Sequence, residues 1–242
     1  MAAPFSWLSP QCYPPWEECE NTTGVYSGKT KAVSVERLTA TIRAAGIRDR
    51  RVLEAFGAVP RERFVPAEWA ARAYDDVPLP IPHGQVTTQP SLIARMIEAL
   101  KLRGDERVLE VGTGYGFQTA LLAMLAREVW STERFSDVAQ TARANLAGQA
   151  IANANVVASD GSRGLAEHAP YDGIVVAAAF PRVPSPLAQQ VASGGRLVHP
   201  VGPGGQDEVT LFVKAGKRLV PRETLTGAYF VRLVGEHGFA SG

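Results

Sequence analysis

The residues Val108-Leu109-Glu110-Val111-Gly112-Thr113-Gly114-Tyr115-Gly116 join an apolar run to one carboxylate and three alternating glycines. A buried strand that runs into such a turn and then a helix brings its backbone close to a ligand, because glycine has no side chain to obstruct the approach. Spacing separates the candidate ligands. A dinucleotide fingerprint, Gly-x-Gly-x-x-Gly, would put its third glycine where Phe117 stands, and no Lys-Ser or Lys-Thr follows to make a triphosphate loop. Glu110, just before the first glycine, would interfere with a pyrophosphate but can receive the ammonium of a methionine moiety, directly or through water. Glu133, about 20 residues on at the end of the next strand, is expected to accept hydrogen bonds from both ribose hydroxyls. Asp160-Gly161, after the third strand, is expected at the adenine edge. Glu110, Gly112, Gly114, Gly116, Glu133, Asp160 and Gly161 thus favour S-adenosylmethionine over a dinucleotide, and no metal ligand is expected.

These positions require strands and helices in alternation. Hydrophobic spacing predicts a helix from Ser34 through Val35, Leu38 and Ile42, stopping near Gly46, and a second over Arg51–Ala58. Tyr74–Pro90 carries Pro78, Pro80, Pro82, Gly84 and Pro90 and is expected to be mostly loop. Beyond it the pattern predicts helices over Pro90–Leu100, Gln118–Ala126, Val138–Ala147 and Pro186–Val191. Strands are expected at Arg107–Val111, Val129–Thr132, Asn155–Ala158, Gly173–Ala177, Arg196–Pro200, Val209–Lys214 and Tyr229–Leu233. The implied fold is α/β: a doubly wound, mostly parallel sheet with an N-terminal helical layer and antiparallel C-terminal strands. The domain reading is an irregular arm over 1–31 and one domain over 32–242, divided into a helical layer with a substrate loop (32–90) and a cofactor-binding core (91–242).

Several segments, in order and at matching spacing, are similar to the protein-L-isoaspartate O-methyltransferase family. They are Gly84-Gln85-Val86-Thr87-Thr88-Gln89-Pro90, the glycine loop, Asp160-Gly161-Ser162, His168-Ala169-Pro170-Tyr171-Asp172, Gly194–Val198 and Phe230–Leu233. The resemblance covers about Ser34 to Phe239, and its most specific sign is Gly84–Pro90. It implies methylation of the misplaced α-carboxylate of L-isoaspartyl residues in aged proteins. The ester then closes to a succinimide whose hydrolysis returns some normal aspartate. It also implies cofactor contacts from Gln85, Val86 and Thr87, and a peptide-pairing backbone at Phe230 and Val231. Thr88 stands where the family has an active-site Ser, retaining the hydroxyl but adding a methyl that restricts χ1. It is the residue expected to orient the acceptor carboxylate. Such a carboxylate, with a pKa of about 4, is already a nucleophile at neutral pH, so the chemistry calls for placement rather than a strong base. His83 and His168 are read as packing residues, and Asp76 as an anchor for the loop.

Composition restricts the partners. Lys+Arg 25 against Asp+Glu 24 leaves no basic footprint for nucleic acid, and no apolar run is long enough for a membrane span. Isoaspartyl proteins or peptides are the expected partners of a cytoplasmic monomer. Cys12 and Cys19 are read as reduced bystander thiols, and the Asn21-Thr22-Thr23 sequon is given no weight. Three rivals stay open: a relative dedicated to one peptide, a non-catalytic S-adenosylmethionine-binding module, and a dinucleotide oxidoreductase, which Phe117 opposes.

Overall fold

The structure, a computed structural model, describes residues 28–240, with side chains from residue 33. Cys12, Cys19, the Asn21 triplet and most of the N-terminal arm lie outside the described residues.

Helix α1 (Gly28–Ala44) begins before the expected Ser34 and ends near Gly46, whose φ of +104° turns the chain out of the helix. α2 (Arg50–Ala58) is capped by the Asp49 side chain, which accepts from the Arg51 N–H, and buries Val52, Leu53, Ala55 and Phe56 on one stripe. Two 3-10 turns, Arg61–Phe64 and Ala67–Arg72, lead toward the proline-rich segment. That segment is not merely loop. β1 (Leu79–Ile81) and β2 (Gln85–Thr87) pair as an antiparallel hairpin, with Leu79 opposite Thr87 and Ile81 opposite Gln85. Its tip is His83-Gly84, both with φ above +60°. Two consecutive left-handed residues make the tight turn that strand twist favours, and the prolines fit because a two-stranded ribbon leaves outward N–H groups unpaired.

α3 (Pro90–Leu100) follows, with proline in its first turn. Then come β3 (Arg107–Val111), α4 (Phe117–Leu125), β4 (Glu128–Glu133), α5 (Ser136–Gly148), β5 (Ala154–Ala158), β6 (Tyr171–Val176), α6 (Ser185–Gln190), β7 (Val191–Val201), β8 (Gln206–Ala215) and β9 (Arg218–Tyr229). The large sheet runs β5-β4-β3-β6-β7-β8-β9, parallel from β5 to β7 and antiparallel thereafter. Residues alternate between its faces. Val108, Val175 and Val198 join the core beneath α1–α5, while Leu109, Val111, Ile174 and Leu197 join a second core with Leu187 of α6.

The last expected strand, Tyr229–Leu233, is corrected. The final ladder is β9, which turns back at Gly216-Lys217 and ends at Tyr229. Its polar sequence and Pro221 hide it from periodicity, yet both suit an edge strand. Beyond it, Phe230–Phe239 leaves the sheet and forms only isolated bridges, Ala179 with Arg232 and Val234 with Phe239.

Candidate active site

Strand β3 lies between β4 and β6, so the chain departs from it in opposite directions on its two sides. The crevice outside the carboxyl ends of such strands is where open α/β sheets bind ligands, and the glycine loop opens into it. Gly112, Gly114 and Gly116 have φ of +96°, +54° and +93°, values that strain any residue with a Cβ. The loop is tied down at two places. The Gly112 and Thr113 N–H groups donate to the Thr132 carbonyl at 2.9 and 3.1 Å, and the Gly114 N–H donates to Glu133 Oε2 at 2.9 Å. Glu133 Oε1 accepts from the Phe135 N–H at 3.1 Å. The acid expected for the ribose is therefore also the clamp that shapes the loop. Each of its oxygens keeps one lone pair for a further donor.

Glu110 is engaged inside the protein. It is fully buried, and its Oε2 accepts from the hydroxyls of Thr119 and Ser131, each at 2.5 Å, while among the described residues its Oε1 has no hydrogen-bond partner. Thr113 in the loop hydrogen-bonds Ser131 at 2.6 Å. Burial pushes the Glu110 carboxyl up to about 7, although the Ser131 and Thr119 hydrogen bonds pull it down. A side chain sealed in this way does not meet a ligand's ammonium directly. It acts through Ser131 and Thr113 to hold the loop.

Asp160 is tied into a second structure that sequence reasoning missed. Its Oδ1 accepts from the Ser162 N–H and hydroxyl at 2.9 and 2.7 Å, and its Oδ2 from the Glu236 N–H at 2.7 Å. Burial alone would raise this carboxyl, but those donors outweigh it and hold it below the ordinary value. The C-terminal strap fits so closely here that a Cβ at Gly235 would lie 2.0 Å from Asp160 Oδ1. A cleft of about 500 Å³ opens where Arg134, Ser159, Asp160 and Glu236 meet, within the size range of small-molecule sites. Gly161 is buried against Val111 and Thr132, where no side chain fits.

The hairpin leans on the glycine loop, since a Cβ at Gly114 would lie 3.5 Å from Ile81 Cδ1. Its tip reaches further. His83 stacks on Phe135 with ring centroids 4.1 Å apart, and its Nε2 meets Asp137 Oδ2 at 2.9 Å. Gln85 donates to the His83 carbonyl, and Val86 pairs with Pro80. Thr87 faces inward: its hydroxyl oxygen accepts from Arg61 at 3.1 Å and from the Leu79 N–H at 3.0 Å. This engagement is structural, and the cofactor contact expected of Thr87 is not what its oxygen makes. Thr88 is half-buried, and among the described residues its hydroxyl has no hydrogen-bond partner.

Two side chains secure the residues on either side of Thr88. Arg61, wholly buried, also donates to the carbonyls of Ala73, Asp75 and Val77, with Phe117 under its guanidinium. Burial lowers it to about 10, still charged at neutral pH. The charged stretch Arg61-Glu62-Arg63 after Pro60 gave no hint that this one turns inward. Asp76 accepts from the Ser91 N–H at 2.8 Å and from Gln89 Nε2 at 3.0 Å, and so is the loop anchor expected of it. His168 is a packing residue, stacked on Trp130 at 3.3 Å.

Phe230 and Val231 lie beyond the ladder. The Phe230 N–H is taken by Gly205 O and Asp207 Oδ2, and the Val231 carbonyl accepts from the Ala179 N–H at 2.8 Å. Ala177 in turn donates to the Val111 carbonyl at the start of the glycine loop. The strap thus runs from Ala179, beside β6, to Asp160, after β5, across the mouth of the crevice. Among the described residues no group of acids, histidines or cysteines could hold a metal ion, and no helix is long and apolar enough to cross a membrane.

Comparison with known proteins converges on one family. Residues 33–238 match the family model described as Protein-L-isoaspartate(D-aspartate) O-methyltransferase. A protein-L-isoaspartate O-methyltransferase of Methanoculleus marisnigri is 48% identical over 205 residues, covering 84% of this chain and 92% of its own. One from Rhodopseudomonas palustris is 47% identical over 212 residues, covering 87% and 86%. Among solved structures, a protein-L-isoaspartate O-methyltransferase superposes with a TM-score of 0.74 at 27% identity, over 84% of this chain and 67% of the other. A Plasmodium falciparum structure titled as a protein-L-isoaspartate O-methyltransferase in complex with S-adenosyl-L-homocysteine shares the fold at TM-score 0.70 and 20% identity, covering 82% and 97%.

Proposed function

The chain belongs to the protein-L-isoaspartate O-methyltransferase family, and we propose that within it Thr88 orients the acceptor carboxylate of isoaspartyl residues in many damaged proteins. It is an S-adenosylmethionine-dependent carboxyl O-methyltransferase that methylates the α-carboxylate of L-isoaspartyl residues. The observation that carries the residue assignment is half-buried Thr88, whose hydroxyl has no partner among the described residues and whose neighbours are held by Arg61 and Asp76.

The residues present fit the methyl donor. The loop's left-handed glycines let backbone approach it, and Glu133 keeps lone pairs for a diol. When bound, S-adenosylmethionine supplies an electrophilic methyl group. The Glu110–Ser131–Thr113 chain and Glu133 hold the loop, while Asp160 holds the strap that narrows the mouth and restricts water. Thr88 donates to one oxygen of the substrate carboxylate and leaves the other free as nucleophile, and no general base is needed. Gln85 and Val86 face the donor from the hairpin, and the strap's backbone around Phe230 and Val231 lies along the substrate peptide. Because one chain supplies every one of these residues, the enzyme is proposed to work as a cytoplasmic monomer.

The test is labelled methyl transfer to matched isoaspartyl and aspartyl peptides of several sequences. Transfer to most isoaspartyl peptides and no aspartyl peptide is expected. Activity on a single sequence would replace broad repair by a dedicated role, and cofactor binding without turnover would make the chain a non-catalytic module.

A further inference from the structure

Two exposed arginines beside the strap are held in an unusual setting. Phe180 and Phe239 meet edge to face, with ring centroids 5.0 Å apart and planes at 88°. The Arg182 guanidinium lies over Phe180 at 5.3 Å, and that of Arg232 over Phe239 at 5.1 Å. Arg232 is further steadied by its Nε, which donates to the Pro203 carbonyl at 3.1 Å. An arginine laid on an aromatic face has lost much of its conformational freedom before any ligand arrives, so less is lost on binding. Most of its N–H donors stay outward.

Neither arginine forms an ion pair among the described residues, whereas Arg107 has Glu128 and Arg163 has Glu236. Both cations therefore lack a protein counter-ion, a role that an incoming carboxylate can take. Their location fits the substrate. Ala177 hydrogen-bonds the residue before the glycine loop, and Ala179, two residues on, pairs with the backbone flanking Arg232. The pair therefore flanks the crevice mouth, Arg232 following Val231 and Arg182 lying five residues, about 17 Å of extended chain, past Ala177.

We propose that Arg182 and Arg232 are specificity-determining residues that bind acidic side chains flanking the isoaspartyl residue. This rests on the isoaspartyl reading above. The pair selects among damaged sites, favouring those in acidic stretches, and takes no part in methyl transfer.

The test measures kcat/KM for three isoaspartyl peptides whose flanking residues are Glu, Gln or Lys, at low and high salt. The wild type is expected to prefer the Glu-flanked peptide, and salt to weaken that preference. Arg182→Ala and Arg232→Ala should each raise KM for the Glu-flanked peptide by about three- to fivefold, with kcat and the KM for S-adenosylmethionine unchanged. The double Arg→Glu variant should prefer the Lys-flanked peptide. Equal rates on all three peptides in the wild type, or an unaltered preference in the double variant, overturn the inference while leaving the enzyme's activity established. No turnover on any peptide overturns the isoaspartyl reading and this inference with it.

Discussion

Thr88 tests how little chemistry the reaction asks of a side chain. If its hydroxyl only orients a carboxylate that is already ionised, Thr88→Ala should lower kcat by about 10- to 100-fold, the loss of one hydrogen bond to a charged group. The dissociation constant for S-adenosylmethionine should stay the same, and Thr88→Ser should match or exceed the parent. Single-turnover rates beside a cofactor titration separate these effects, and full activity in Thr88→Ala would remove the residue from the mechanism. Much at this scale was legible in the sequence, because glycine spacing and strand-end acids encode local geometry. The glycine loop, Glu133 and Asp160 all stand where strand ends were expected. What stayed hidden was which way a side chain faces. Glu110 is turned into the core by Thr119 and Ser131, and Arg61 is buried by four acceptors that lie far along the chain. No local pattern marks such partners.

Among the elements, the β1–β2 hairpin has the most to do for its size. A two-stranded ribbon is barely stable alone, so its position depends on what it leans against. Arg61 holds its base through Thr87, and His83 clips its tip to α5 through Asp137 and Phe135. An exposed pair adds little, and one ring stack fixes the tip modestly. His83→Ala should therefore weaken S-adenosylmethionine binding about threefold to tenfold and speed amide exchange at Gln85–Thr87, with little change in global stability. Unchanged exchange there would mean that the clip does not hold the hairpin. Periodicity missed this element because its strands are three residues long and prolines lie in and around the first. It misplaced the last strand for a related reason, since an edge strand such as β9 buries too little to show alternation. The parallel strands, apolar on both faces, were plain.

At the scale of the whole molecule, two buried groups oppose each other in pH. Burial holds the Glu110 carboxyl up near 7, so the folded state binds a proton that the unfolded state has lost, and stability falls as pH rises from about 4.5 to 7. Burial presses His199 on β7 down to about 4, so the unfolded state binds a proton that the folded state refuses, and stability falls as pH drops from about 6.5 to 4. Each effect is about 3 kcal/mol, and they nearly cancel between about pH 4.5 and 6.5. Denaturant titrations should show stability rising with pH across that window in Glu110→Gln, and falling in His199→Gln. Parallel profiles would show that these two groups do not set the slope. The strap leads to a different consequence. Phe230–Phe239 follows every strand in chain order, yet it bridges Ala179 and closes on Asp160. During synthesis the parallel strands β3 to β7 emerge well before this stretch, so that half of the sheet can form before the strap docks. Closure of the crevice then waits on a stretch that the parallel strands do not need in order to pair.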